Sequence, residues 1–296
     1  MNTIDLHIHS TFSDGELTPK QIIDIAKENN LKYISITDHD SISAYNEELL
    51  EYAKSNEINI ITGVEISTKY QDRGIHVLGY NIDTDNPELL SCLSSLQNAR
   101  INYFWKVSKE LQKLGYHVNT EKLKTLPTIT KAHIALDIIK DSKNETILMK
   151  NFSHIPSKGE FIEAIMNEGC PAYVEKFSIS PAKAREIIKK ANGKAILAHP
   201  IAYMHEDNLT IDQISNLIQE MTPDGIEAIY LYVDKNNQVY DEINFWYDYA
   251  INKNLIVTMG SDFHSLEKKY PYIGFKNYKP PIDEEIINDL IKKLIE

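Results

Sequence analysis

Hydrophobic and polar positions alternate with period two at the start of the chain. Ile4, Leu6 and Ile8 fall on one side of a strand, and Asp5, His7 and His9 on the other. Thr18 and Pro19 then open a helix, as its cap and first residue, with Ile22, Ile23, Ile25 and Ala26 as its buried stripe. A strand over Tyr33–Ile36, a helix over 42–56, a strand over 58–61 and strand-like runs at 63–67 and 75–80 follow. This alternation predicts an α/β architecture with parallel strands. The rhythm breaks at Pro87, where a long helix to Leu114 precedes helical segments over 130–140, 144–152 and 160–168. Alternation resumes with strands at 172–174, 194–198, 225–230 and 255–259, separated by helices over 181–192, 211–221 and 237–253 and closed by a helix over 282–295. The expected organisation is an α/β body of residues 1–86 plus 171–296 carrying a helical insertion, 87–170, as a lid or substrate subdomain.

Composition narrows the function classes. The 296 residues hold 31 Lys and Arg against 43 Asp and Glu, a formal charge of −12, which argues against a duplex-DNA binder. An anionic substrate stays open, because bound cations reverse charge locally. Cys92 and Cys170 cannot form a disulfide framework. No run approaches the roughly 18 apolar residues of a membrane span, and the N-terminus lacks basic and apolar leader regions. A cytoplasmic chain without a membrane partner is expected.

Chemistry gathers at the strand ends. Of ten histidines, His7, His9, His39, His76, His199 and His264 sit at or just beyond strand-like runs, where the functional residues of parallel barrels converge. His7 and His9, two apart on a strand, point to the same side. Asp14 follows the first strand in a polar loop, Glu65 ends another, and Asp262 precedes His264 by two. A lone His-x-His pair carries little weight at this histidine content; the recurrence at one topological place carries the argument. Imidazoles with carboxylates and no cysteine suit Zn, Mn or Fe. His117, His154 and His205 lie in polar surroundings and read as surface residues, and most of the 17 tyrosines as packing.

The same residues carry a family resemblance. Asp5-Leu6-His7-Ile8-His9-Ser10, Ser13-Asp14-Gly15, Thr37-Asp38-His39-Asp40, Gly63-Val64-Glu65-Ile66-Ser67, His76-Val77-Leu78-Gly79-Tyr80, Leu197-Ala198-His199-Pro200 and Gly260-Ser261-Asp262-Phe263-His264 resemble the motifs of PHP-domain phosphoesterases, the polymerase and histidinol phosphatase superfamily. With the insertion, the chain is similar to the branch of 3′,5′-nucleoside bisphosphate phosphatases and short-RNA 5′→3′ exonucleases. The resemblance implies a distorted (β/α)7 barrel with three divalent metal ions, usually manganese, with zinc or iron as the other choices. It assigns His7, His9, Glu65 and Asp262 to the first metal and Glu65, His76 and His199 to the third, with Glu65 bridging. Asp14, His39 and His264 would hold the second and form the catalytic set.

Three divalent ions against three carboxylates would leave the site about three charges positive, suited to a phosphate ester. The implied reaction is hydrolysis of a nucleotide phosphomonoester by metal-activated water. The implied substrates are the 3′-phosphate of a 3′,5′-bisphosphonucleoside, AMP or the 5′ end of short single-stranded RNA. A histidinol-phosphate phosphatase and a non-catalytic metal-binding scaffold are the alternatives. Only three arginines occur, and Arg100 on the long helix matches a phosphate-binding arginine of the branch. A second family stretch, Arg-Pro-His-Ile-Ala-Arg, corresponds here to Lys131-Ala132-His133-Ile134-Ala135-Leu136. Lys131 and His133 are therefore the further candidate substrate contacts, with Leu136 in place of the last cation.

Overall fold

The computed structural model describes residues 3–126, 128–234, 236–266, 272–275 and 284–295. The chain divides into two compact units, Met1–Ser94 with Ser178–Glu296, and Ser95–Phe177. The first division falls inside the helix Pro87–Lys113.

Ten strands are present among the described residues: β1 Ile4–Ile8, β2 Tyr33–Ile36, β3 Asn59–Ile60, β4 Gly63–Tyr70, β5 Arg73–Tyr80, β6 Lys194–Leu197, β7 Gly225–Ile229, β8 Tyr232–Val233, β9 Val239–Tyr240 and β10 Ile256–Met259. Three of them form a parallel sheet in the order β1-β2-β3; five form a second sheet in the order β10-β7-β6-β5-β4; β8 and β9 pair alone. Single parallel bridges, Ile8 to Phe263 and His39 to Glu65, join the two larger sheets. The fold is mixed α/β.

Two places depart from the all-parallel expectation: the small β8–β9 pair is antiparallel, and one strand of the five-stranded sheet is reversed. β5 runs antiparallel to both β4 and β6. Only Gln71 and Asp72 separate β4 from β5, both at positive φ (45° and 65°). Two such residues make a tight hairpin, whereas a parallel crossover needs a dozen or more. The reversal matters for the site. His76 stands in the middle of β5, and its carbonyl accepts from the N–H of Ala198, just past β6. From this place in the reversed strand His76 thus lies opposite Ser67 of β4, two residues from Glu65, and beside the end of β6.

Other expectations shift for local reasons. Residues 172–174 form no strand: Ala172 N–H bonds Ile165 O and Tyr173 N–H bonds Cys170 O, folding the segment into turns. Ala172 and Val174 are absorbed by the core of the helical unit, beside Phe104, Tyr116, Ile134 and Phe161. The helix expected from 237 starts at Ile243, because Asp234 Oδ1 accepts from Asn236 N and Gln238 N and ties that stretch into the β8–β9 hairpin. The helix expected from 42 starts at Glu47, capped by the Asn46 side chain. The strand expected over 58–61 is only Asn59–Ile60. The last helix is Glu284–Ile295, and residues 282 and 283 of that expectation lie outside the described residues.

Local chemistry explains the elements that were foreseen. Thr18 and Gln21 close a capping box on Pro19–Glu28, whose Ile22, Ile23 and Ala26 are buried. They pack in a core with Ile8, Ile34, Ile36 and Phe263, so the strands that carry His7, His9 and His39 rest on a filled layer. No helix of the described residues is long and apolar enough to cross a membrane.

Candidate metal centre

Nine side chains from six strands and the loops that follow them converge in the first unit. His7 and His9 come from β1 and its end, Asp14 from the following loop, and His39 from beyond β2. Glu65 stands in β4, His76 in β5, His199 after β6, and Asp262 and His264 after β10. Glu65 is the hub. Its Oε1 lies 2.9 Å from His76 Nδ1, 3.3 Å from His199 Nε2 and 3.5 Å from His7 Nε2. Its Oε2 lies 2.8 Å from His39 Nδ1 and 3.3 Å from His9 Nε2. Asp262 Oδ1 lies 3.1 Å from His9 Nε2 and 3.4 Å from both His7 Nε2 and His264 Nδ1. Asp14 Oδ1 lies 3.4 Å from His264 Nε2, 3.7 Å from His9 Nδ1 and 3.8 Å from His39 Nε2.

Hydrogen bonds behind the cluster fix the tautomers. His7 Nδ1 faces both oxygens of Glu227, at 3.0 and 3.1 Å, so Nδ1 carries the proton and Nε2 a lone pair. Ser13 donates its hydroxyl to Asp38, leaving its oxygen to accept from His9 Nδ1–H at 3.3 Å. His264 Nδ1–H donates to the Asp262 carbonyl at 2.9 Å. The bare Nε2 atoms of His7 and His9 then face each other at 3.2 Å with Asp262 Oδ1 beside them. Atoms that close need protons or a metal cation between them.

Unpartnered atoms make the same point. Asp14 Oδ1, Glu65 Oε2, His39 Nδ1, His76 Nδ1 and His199 Nδ1 are buried without a hydrogen bond of acceptable geometry among the described residues. Ligand atoms within 4.8 Å of one another fall into three overlapping sets: His9, Asp14, His39 and His264; His7, His9 and Asp262; and His39, Glu65 and His76. The donors fit divalent cations. The overlap also differs in detail from the partition implied by resemblance, since His9 and His39 each lie in two sets and His199 in none.

The electrostatics favour positive charge. Burial opposes protonation of His7, but Glu227, Asp262 and Glu65 overcome it and hold the ring well above the usual histidine range. Against the same burial, Asp262 and Glu65 raise His9 to about 10. Burial would raise the carboxyls of Glu65, Asp14 and Asp262, yet the surrounding imidazoles keep all three well below the usual range. His39 is lowered, by burial and by His9, in spite of Glu65 and Asp14. Protons and metal ions compete for these lone pairs, so ion binding displaces protons.

Three residues at the site have left-handed backbone. Asp40, His199 and Asp262 have positive φ (51°, 25° and 49°), unusual for residues that carry side chains. Each has a compensating bond. Asp40 Oδ1 accepts from Ser67 N, His199 N donates to Glu227 Oε2, and Asp262 Oδ2 accepts from the Tyr230 hydroxyl.

The remaining candidates lie in the second unit. Arg100 is on the helix Pro87–Lys113 and is buried. Lys131 Nζ donates to Asn167 Oδ1 at 3.0 Å, and burial lowers its pKa. His133 closes the capping box of Lys131–Lys140 with Thr130. Sequence reasoning missed Glu227, the carboxylates of Asp38 and Asp40, and the Tyr230 hydroxyl. Asp38 and Asp40 flank His39 in a quoted motif; Glu227 gave a signal only as a charge inside an apolar strand.

A PHP domain model matches residues 5–196, and the chain belongs to the PHP domain family. It is a metal-dependent phosphoesterase, a hydrolase with a candidate His/Asp/Glu metal site. Among its relatives is a 5′-3′ exoribonuclease of Haemophilus influenzae, 30% identical over 265 residues that cover 88% of this chain and 89% of the relative. A 3′,5′-nucleoside bisphosphate phosphatase of Chromobacterium violaceum is 26% identical over 299 residues, 100% of this chain and 99% of the relative. A solved structure of an amidohydrolase from Chromobacterium violaceum, with bound sulfate and no metal, superimposes with a TM-score of 0.78 at 25% identity, covering 99% and 97% of the two chains.

Proposed function

We propose that this chain hydrolyses phosphomonoesters of nucleotides. The leading substrate is the 3′-phosphate of a 3′,5′-bisphosphonucleoside; AMP and the 5′ end of short single-stranded RNA are further ones. One observation carries the reading: nine ligand-type side chains converge, and acceptors behind His7, His9 and His264 turn the Nε2 atoms of these three toward the cluster. The activities named for two relatives that cover most of the chain support the nucleotide class. In this reading the two bridges close β1, β2, β4, β5, β6, β7 and β10 into a distorted seven-stranded barrel.

Three divalent ions, manganese by preference, would be held by His7, His9, Glu65 and Asp262; by Asp14, His39 and His264; and by Glu65, His76 and His199. When bound, such ions supply positive charge for the phosphoryl oxygens and acidify water to near neutrality. The chain's own residues do the rest. His7, His9 and Glu65, all but closed to solvent, form a floor that keeps bulk water out. His76 and His264, 31% and 26% exposed, form the rim where a phosphoryl group enters. Asp14 and Asp262, held ionised, orient the neighbouring imidazoles. Tyr230 fixes the outer oxygen of Asp262. Ser10 and Ser13 are tied to Asp38, so neither hydroxyl is free to attack phosphorus. Trapping experiments during turnover should accordingly find no phosphorylated side chain.

Arg100 is the proposed contact to a second phosphate, because a guanidinium fork grips two oxygens at once. Arg100→Ala should lower kcat/KM for a bisphosphate about 10- to 100-fold, the worth of a charge-assisted hydrogen bond, and leave an aryl phosphate nearly unchanged. Equal losses on both would make Arg100 structural. The substrate class itself is tested by phosphate release from adenosine 3′,5′-bisphosphate, AMP, a 5′-phosphorylated dinucleotide and histidinol phosphate, side by side with manganese. Preference for any of the first three supports the nucleotide reading; preference for histidinol phosphate overturns it.

A further inference from the structure

We infer that Glu227 is a positioning residue that couples two of the metal-ligand sets through a single carboxylate; the inference rests on the metal-ligand reading proposed above. Glu227 stands in the middle of β7, fully buried, among Ile226, Ala228 and Ile229. A carboxylate there is costly unless every oxygen is used. Both are used, on two targets. Oε1 and Oε2 face His7 Nδ1 at 3.0 and 3.1 Å, and Oε2 also accepts from the His199 backbone N–H at 3.0 Å.

The two targets are a pair. The rings of His7 and His199 stack with centroids 5.7 Å apart and planes 19° apart. Their Nε2 atoms lie 3.5 and 3.3 Å from the same oxygen of Glu65. Glu65 thus meets both histidines on the ligand side, and Glu227 holds both from the opposite side. For His7 the hold is chemical: the proton kept on Nδ1 leaves Nε2 bare for a metal. For His199 it is conformational: the bond anchors a backbone at φ 25°, ψ 63°, where Pro200 begins the helix Pro200–His205. The Asp14, His39 and His264 set is oriented by other groups, among them the Asp262 carbonyl behind His264.

Glutamine is a poor substitute for this carboxylate. Its one acceptor oxygen can serve both His7 Nδ1–H and His199 N–H only from the place of Oε2, which leaves an amide NH2 in the place of Oε1, 3.0 Å from His7 Nδ1, and removes the charge. Glu227→Gln should therefore weaken the ions held through His7 and His199 and spare the one on Asp14, His39 and His264. The test is a titration of the chelator-stripped full-length protein with Mn2+, giving the affinity and number of sites for wild type and variant, together with the melting temperature before metal is added. The expected result is one or two sites weakened about 10- to 100-fold and at least one site at wild-type affinity. Wild-type affinity at every site would overturn the inference and reduce Glu227 to packing. A uniform loss at all sites, accompanied by a lower melting temperature of the stripped protein, would overturn it too. Should Glu227→Gln not fold, Glu227→Asp, which keeps both acceptors one methylene back, decides on the same criterion. A wild-type protein that binds no Mn2+ would overturn the metal reading as a whole; tight binding by both wild type and variant overturns only the role of Glu227.

Discussion

Asp14→Ala and His264→Ala should each reduce phosphate release at least about 1000-fold while the protein stays folded, because each would remove a ligand from the set proposed to sit at the chemistry. Both residues lie at the rim, 13% and 26% exposed, so truncation opens no cavity in the core. Asp14 Oδ1 is a buried acceptor without a hydrogen bond among the described residues, faced by His9, His39 and His264. An alanine there leaves three imidazoles around an uncompensated gap. The paired measurement is turnover with manganese and the metal content of the same sample. Near-normal turnover with full metal content would refute the assignment of both residues.

Gly260→Ala is expected to produce a large loss of stability from a small change. A Cβ at Gly260 would stand 2.5 Å from Glu227 Oε1 and 2.8 Å from His7 N, and nearer still to His7 Cβ. None of these neighbours is the free end of a flexible side chain. His7 is in β1, and Glu227 is held by His7 and His199. The methyl group must push β1 away from the end of β10 or displace Glu227. The cost is about 3 kcal/mol or more, a fall in melting temperature of roughly 10 °C, and metal affinity should fall with it. Gly74→Ala is the control, since a Cβ there meets nothing within 4 Å. A Gly260→Ala protein as stable as the Gly74→Ala one would show that the close approach at His7 is not required.

How much of this was legible in the sequence follows from which interactions are local. His7 and His9 were readable because a period-two strand puts alternate residues on one side, and the six histidines because they recur at strand ends. Capped helices such as Pro19–Glu28 were readable from Thr18, Pro19 and Gln21 alone. The reversal of β5 was not, since Gln71 and Asp72 lack the glycine that usually marks a two-residue hairpin. Glu227 was out of reach for a different reason: its partner His7 is 220 residues away. The φ of 25° at His199 is accompanied by a bond to a carboxylate 28 residues away, and Pro200 signals only that the backbone before it is restricted. Segment 172–174 has strand-like residues, but the core of the helical unit claims them.

The most direct test of the account is phosphate release from adenosine 3′,5′-bisphosphate by one preparation in three states: as reconstituted with manganese, after removal of metal by a chelator, and after manganese is restored. The account requires turnover in the first state, its loss in the second with the fold retained, and its return in the third. Turnover that survives complete metal removal, or its absence in all three states while manganese is demonstrably bound, would contradict it.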